Sequence, residues 1–233
     1  MASIEAAPRR IAKGAEAELF LESLWLGKSV LAKRRLEKKY RVPELDKSLR
    51  EYRTIHEAEI IHRAKEAGVS TPILYLVDVP CSTIYMEYVK GKVIRKILDE
   101  LSTEKRLDFF HRIGGLVGKL HRAGITHGDL TTSNMILTEE ERIYFVDFGL
   151  AELTREVEKR GVDLHLMEHM LMSTHYRYAE ECFSSFLQGY REIMGEEATA
   201  EVVRKIEEIE RRGRYISERE VLEDGDEQSK QVP

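Results

Sequence analysis

The chain has 233 residues, 42% of them hydrophobic, and a formal net charge of −5 from 37 basic and 42 acidic side chains. That length allows one large domain or two small lobes around a real core, and the acidic balance excludes a polycation held to nucleic acid by bulk charge. No stretch approaches the roughly 20 consecutive apolar residues of a membrane span, the first residues lack the apolar run of a secretory signal, and Cys81 and Cys182 have no metal-like spacing. These features predict a cytoplasmic protein with two reduced thiols and no membrane partner.

Residues 18 to 33 carry two apolar runs, Leu19 to Leu21 and Val30 to Ala32, on either side of Gly27, the pattern of an antiparallel strand pair and its turn. The basic run of Lys33, Arg34, Arg35, Lys38, Lys39 and Arg41 reads mainly as solvated surface. From Leu45 to Ala67 the spacing of Leu49, Ile55, Ala58, Ile61 and Ala64 is helical, with Gly68 as a stop. Ile73 to Val79 and Thr83 to Val89, rich in β-branched and aromatic residues and parted by Pro80, predict a second strand pair; Trp25, on the first pair, has a packing role.

Beyond Lys90-Gly91, the residues Phe109, Ile113, Leu116, Val117 and Leu120 fall on one face of an amphipathic helix. The rest is mostly helical, interrupted by a hairpin pattern at Met135 to Leu137 and Ile143 to Val146 around the acidic turn Glu139 to Glu141. Segment 213–233 is a polar tail, and roughly its last ten residues are expected to be disordered. The pattern is therefore α+β: a strand-rich first part with one long helix (1–89), a mostly helical second part (90–212) and the tail.

The chemistry sits at the hairpin. His127-Gly128-Asp129-Leu130-Thr131-Thr132-Ser133-Asn134 places an Asn five residues after an Asp, and Asp147-Phe148-Gly149 begins thirteen residues further on. Transfer of a γ-phosphoryl group needs an oriented nucleophile, which Asp129 can supply by accepting its proton, and metal ions to offset phosphate charge. Mg²⁺ takes hard oxygen ligands, so the Asn134 amide and the Asp147 carboxylate are apt, and Gly149 is expected to permit the turn that aims Asp147 inward. Lys33 ends the run Val30-Leu31-Ala32, where a strand would hold an ammonium against phosphates. On the long helix Glu57 is placed to pair with it, with Glu51 and Glu59 as competitors that periodicity does not eliminate. His165 and His169 share an i, i+4 face, but without an acidic third ligand they read as ordinary surface residues.

In that order these elements resemble a protein kinase, and Met86-Glu87-Tyr88-Val89 resembles the hinge between kinase lobes. More closely, Ile125 to Met135 followed by Val146-Asp147-Phe148-Gly149-Leu150 is similar to the small atypical kinase/ATPase subunit of the KEOPS tRNA-modification complex. The resemblance covers nearly the whole chain, through Lys13-Gly14-Ala15-Glu16-Ala17, Glu57-Ala58, Gly68-Val69-Ser70-Thr71-Pro72, Gly161-Val162-Asp163-Leu164, Ser173-Thr174-His175 and Arg211-Arg212-Gly213-Arg214. It implies a two-lobed kinase-like fold with ATP and Mg²⁺ as cofactors. Lys33 would bind phosphates and pair with Glu57, Asp129 would be the catalytic acid/base, and Asn134 and Asp147 would hold metal. Lys13 and Gly14 would lie over the phosphates, the backbones of Glu87 and Val89 would bond adenine, Met86 would be the gatekeeper, and Asp163 would brace the catalytic loop.

The implied partners are the threonylcarbamoyl transferase subunit of that complex, a further small regulatory subunit, and tRNA, met indirectly or through Arg211, Arg212 and Arg214. Three departures from ordinary kinases bear on activity. Gly14 is the one glycine in the phosphate-covering loop, His-Arg-Asp has become His127-Gly128-Asp129, and no Ala-Pro-Glu follows Gly149, after which only 84 residues remain. An ATPase serving a partner therefore stands beside two other readings, a free-standing kinase for a small molecule or a protein and a pseudokinase scaffold; retention of Lys33, Asp129, Asn134 and Asp147 together argues against the scaffold.

Overall fold

A computed structural model describes residues 8–25 and 28–229, with side chains at 8–22 and 28–212. The Trp25 side chain and Gly27 lie outside the described residues. The first part is a five-stranded antiparallel sheet built from β1 (Arg9–Lys13), β2 (Ala17–Trp25), β3 (Lys28–Arg35), β4 (Leu74–Asp78) and β5 (Thr83–Glu87), in the order β1-β2-β3-β5-β4. The charged strand β1, exposed along its length, has too little apolar alternation to be read from sequence. Between β3 and β4 runs α1 (Pro43–Glu66), which opens on a proline, carries Glu44 and Asp46 in its first turn and Arg63 and Lys65 in its last, and gives way to Gly68 at φ 81°. Those charges complement the helix dipole at both ends.

Strand pleating puts Leu31, Lys33 and Arg35 of β3 on one face, together with Ile84 and Met86 of β5, which pair with Lys33 and Leu31. Ala58 of α1 packs there with Leu31, Ile84 and Met86, so the helix covers the face that carries Lys33. The buried side of α1 is more polar than its apolar spacing suggests, since Asp46, Thr54 and Glu57 are inside while Leu45 and Ile55 are exposed.

The chain then passes through β6 (Lys92–Val93) and the single turn α2 (Ile94–Ile97) into α3 (Thr103–Arg122), capped by the Ser102 hydroxyl accepting from the Lys105 amide. After β7 (Ile125–Thr126) come β8 (Met135–Leu137) and β9 (Ile143–Phe145), the expected hairpin, which joins β6 in a small sheet. Then β10 (Glu152–Leu153) pairs with β7 and leads into α4 (Val157–Thr174), α5 (Ala179–Met194) and α6 (Glu196–Ser229). Helix α6 runs on past 212, through most of the segment read as a polar tail.

The large core lies among these helices and under the hairpin, with Phe110, Ile113, Val117, Phe145, Phe148, Leu164, Phe186 and Tyr190 inaccessible to solvent. Helices α3 and α5 cross on glycines. A Cβ at Gly114 would lie 1.9 Å from the Phe186 carbonyl oxygen, and one at Gly189 would lie 1.9 Å from that of His111. Backbone contact this close leaves no room for a side chain, and it holds α3 rigidly beneath the loop that follows it. Among the described residues no helix is long and apolar enough to cross a membrane.

Candidate active site

Lys33, Glu57 and Asp147 come from β3, α1 and the segment after β9, and they meet at one point. The Lys33 ammonium donates to Glu57 Oε1 at 2.6 Å and to Asp147 Oδ1 at 2.7 Å. Burial disfavours the ammonium, but the charges of Glu57 and Asp147 outweigh it and raise the Lys33 pKa above its ordinary value. Asp147 is the converse case: burial pushes its carboxyl up, while Lys33 and the Gly149 amide pull harder and hold it below the usual range. Of the three glutamates open from sequence, Glu57 makes the pair; Glu51 reaches Lys47 at 3.8 Å, and Glu59 accepts from Arg63 at 2.7 Å on the outer side of the helix.

Arg35 joins the same cluster, with its Nη2 donating to Glu57 Oε2 at 2.6 Å and to the Arg53 carbonyl at 3.1 Å. Reading the basic run as surface missed it; the signal was its position two residues after Lys33, which in a strand puts both cations on one face. Arg41 and Arg50 likewise turn to the buried Asp46, at 3.5 and 2.6 Å. Half of this run's charge thus serves internal partners.

The second half of the site is the loop between β7 and β8. Asp163 of α4 is 1% exposed and accepts from the His127 amide at 2.6 Å, the Gly128 amide at 2.7 Å and His121 Nε2 at 3.1 Å. Behind His121 stands the Tyr190 hydroxyl at 2.8 Å from Nδ1; burial, with Asp163 adding to it, pushes that phenol up, so it keeps its proton. The His127 ring lies against Phe148, centroids 4.8 Å apart, and burial lowers its pKa and keeps it neutral. Gly128 must be glycine: its φ is 75°, and a Cβ would lie 2.2 Å from the Leu150 carbonyl oxygen. That contact gives the reason for the missing arginine of His-Arg-Asp.

From this braced loop Asp129 projects, and Asn134 Nδ2 donates to its Oδ2 at 2.8 Å and its carbonyl at 3.0 Å. With its amide nitrogen so committed, the Asn134 oxygen faces away from Asp129. Asp147 spends Oδ1 on Lys33 and Gly149, and no hydrogen bond among the described residues engages its Oδ2. The left-handed residue in this turn is Asp147 itself, at φ 63°, and the amide of Gly149 donates back to Asp147 Oδ1 at 3.3 Å. An aspartate at positive φ is uncommon and costs backbone energy, here balanced by these contacts.

At the end expected to hold a nucleotide, Met86 is buried on β5, and the Glu87 amide is taken by the Ile73 carbonyl at 2.8 Å, which leaves the Glu87 peptide only its carbonyl to offer a base. The Gly14 amide closes the β1–β2 turn onto the Ala17 carbonyl at 2.8 Å, and Glu16 is tied to Arg53 of α1 at 2.6 Å. Lys13 rests against Glu18 at 3.4 Å on the exposed side of that hairpin. Seven residues separate Gly149 from α4, and β10 within them pairs with β7, which leaves no extended activation loop.

Elsewhere, Arg212 pairs with Glu158 and Arg211 donates to the Glu207 carbonyl, while the Arg214 side chain lies outside the described residues. His165 and His169 do not share a ligand set. His165 instead stands with Glu168 and Glu210, their ligand atoms within 4.8 Å, which supplies the acidic neighbours that the sequence reading missed; these partly exposed carboxylates hold nothing that selects a cation.

A strand-rich lobe with an ion-paired lysine, set over a helical lobe that presents an aspartate loop and an Asp-Phe-Gly turn, defines a protein of the kinase class. The family model for the protein kinase domain matches residues 26–190. The KEOPS complex subunit Bud32 of Pyrococcus abyssi is 48% identical over 210 residues, covering 88% of this chain and 95% of that protein. A probable serine/threonine-protein kinase BUD32 homolog of Archaeoglobus fulgidus is 42% identical over 188 residues, covering 81% of this chain and 89% of that protein. The probable bifunctional tRNA threonylcarbamoyladenosine biosynthesis protein of Methanothermobacter thermautotrophicus is 44% identical over 214 residues, 92% of this chain but only 38% of that longer protein. The chain belongs to the protein kinase domain family and, within it, to the Bud32-like atypical kinases.

Proposed function

We propose that this chain carries out Mg-ATP-dependent phosphoryl transfer or ATP hydrolysis, as the kinase-like subunit of a complex that makes N6-threonylcarbamoyladenosine in tRNA. The observation that carries the chemical part is the convergence of Lys33, Glu57 and Asp147 beside the Asp129–Asn134 pair, five polar groups from four separate segments. The relatives' names carry the biological part.

In this reading the α- and β-phosphates of ATP meet the Lys33 ammonium, which Glu57 holds in place. The Asp129 carboxylate, fixed by the Asn134 amide, orients the acceptor hydroxyl or water and takes its proton as the phosphoryl group leaves ADP. The peptides of Glu87 and Val89 hold adenine against Met86, and the β1–β2 turn with Lys13 and Gly14 covers the phosphates. The free amide oxygen of Asn134 and the unengaged Oδ2 of Asp147 form a donor set of hard oxygens that fits Mg²⁺. A bound Mg²⁺ ion would neutralise phosphate charge there.

The short segment after Gly149 supports an acceptor that needs no peptide-docking surface, hence water or a partner's hydroxyl rather than a free-standing protein kinase. The partners in this reading are the threonylcarbamoyl transferase subunit, a small regulatory subunit and tRNA, with Arg211 and Arg212 as the candidate phosphate contacts. The test is ATP turnover by the chain alone, and then with the transferase subunit plus tRNA, with and without Mg²⁺. Mg²⁺-dependent turnover that rises with the partner is expected; no turnover in either setting would overturn the reading.

A further inference from the structure

Resting on that reading of the site, we infer that Arg35 is a positioning residue for phosphoryl transfer, which acts by holding Glu57 so that the Lys33 ammonium is presented to phosphate. Glu57 is 1% exposed, Lys33 9% and Arg35 7%, so the cluster lies away from water. A carboxylate held at one oxygen can swivel about its own axis, whereas one held at both cannot. Lys33 takes Oε1 and Arg35 takes Oε2, which fixes the plane of the group. Arg35 also bonds the Arg53 carbonyl, one turn before Glu57, so it ties α1 to β3 through main chain as well as side chain. Both bonds leave the single Nη2 of a planar guanidinium, whose fixed geometry sets the direction of each, whereas the ammonium of a lysine rotates about its flexible stem.

The charge count points the same way. Lys33 and Arg35 balance Glu57 and Asp147, so the cluster is neutral as it stands. Without Arg35 it carries a net negative charge at the place where a triphosphate must approach, and Glu57 keeps an unpaired buried oxygen that competes for Lys33. Kinases that assemble the lysine–glutamate pair under control do so through a phosphorylated activation loop. The seven-residue connection from Gly149 to α4 has no such loop, and Arg35 supplies a fixed internal substitute that keeps the pair formed.

The experiment is a double-mutant cycle on the full-length chain, reading kcat and KM for ATP separately in wild type, Arg35→Met, Glu57→Gln and the double variant. Arg35→Met should lower kcat/KM by about tenfold or more, since small misplacements of a phosphate-binding group have effects of this order, and should raise KM for ATP. In the Glu57→Gln background the same substitution should cost less than about twofold, because its route of action is already gone. A purely structural role predicts the same multiplied loss in both backgrounds and would overturn the inference, as would wild-type kcat/KM in Arg35→Met. Should Arg35→Met fail to fold, Arg35→Lys, which keeps the charge but gives up the planar, directed donor, carries the same cycle with an expected loss of about threefold in the wild-type background alone. Failure of the wild-type chain to turn over ATP both alone and with the transferase subunit plus tRNA would take down the functional reading with the inference, whereas turnover insensitive to Arg35 removes the inference only.

Discussion

Around Asp129 the chain is fixed by backbone amides that donate into one buried carboxylate, Asp163, whereas around Lys33 it is fixed by side chains that meet across three elements. The difference lies in what can disturb each half. The loop is wired to α4, itself packed on the glycine-crossed helices below, and its bracing rests on the buried, fully bonded Asp163 carboxylate rather than on exposed ion pairs. The lysine cluster depends on α1 staying against β3 and on two shared cations, so substitution and pH act on it directly. In the proposed function, a rigid reacting end thus faces a phosphate-binding end held by balanced charge.

The largest effect is expected where the rigid half is cut. Asp163→Asn exchanges an acceptor oxygen for a donor nitrogen against the buried amides of His127 and Gly128, and should destabilise the fold by about 3 kcal/mol, the order of a buried charged hydrogen bond lost with its donor left unpaired. Urea unfolding measures that loss, and ATP turnover should fall with it because Asp129 loses its footing. Stability within about 0.5 kcal/mol of wild type, the range of ordinary surface changes, would break the comparison.

In the ion-paired half the effects should be graded and fall mainly on activity. Lys33→Met should lower kcat/KM for ATP by about 100-fold and Glu57→Gln by about tenfold, the scale of losing a charged donor to a phosphate and of losing its orienting partner. Glu51→Gln, at the i, i+4 pair with Lys47 on the helix surface, should leave turnover unchanged. Finding the reverse order for the two glutamates would assign a different face of α1 to the site.

The smallest effect concerns acid. The Asp147 pKa is held below its ordinary value, so the group adds stability above the unfolded carboxylate range and loses it as pH falls through the lowered value. Urea unfolding of wild type and Asp147→Asn should therefore differ at about pH 6, and the gap should narrow as pH falls below the ordinary carboxylate range. The gap should be small, since the Asp147 side chain is 55% exposed and solvent screens the pair. A gap that persists unchanged in acid would mean that Lys33 contributes nothing to holding that carboxylate.

The rigid half was the more legible of the two in sequence. Asp129, Asn134 and Asp147 lie within 19 residues in a fixed order, and their spacing about a hairpin reflects local backbone geometry that a sequence can carry. Asp163 was reached only by resemblance, since no local pattern says which distant carboxylate will accept two amides. The lysine cluster was half legible: strand ending and helix existence were plain, yet Glu51, Glu57 and Glu59 remained open because choosing among them requires the rotation of α1 against β3. Arg35 was lost in a basic run because charge composition does not tell an inward guanidinium from an outward one. That Asp147 itself takes the left-handed conformation was not legible, because contacts to Lys33 and the Gly149 amide rather than propensity favour it there.

The central claim is that two differently built halves form one phosphoryl-transfer site, binding at Lys33 and reacting at Asp129. It is tested most directly by measuring ATP affinity by calorimetry and Mg²⁺-dependent ATP turnover on Asp129→Asn, a variant that keeps an oxygen for Asn134 to bond. The account predicts affinity within about twofold of wild type and turnover reduced by about 100-fold or more, the range for loss of a positioned general base. Turnover at the wild-type rate, or loss of ATP binding in step with loss of turnover, would contradict it.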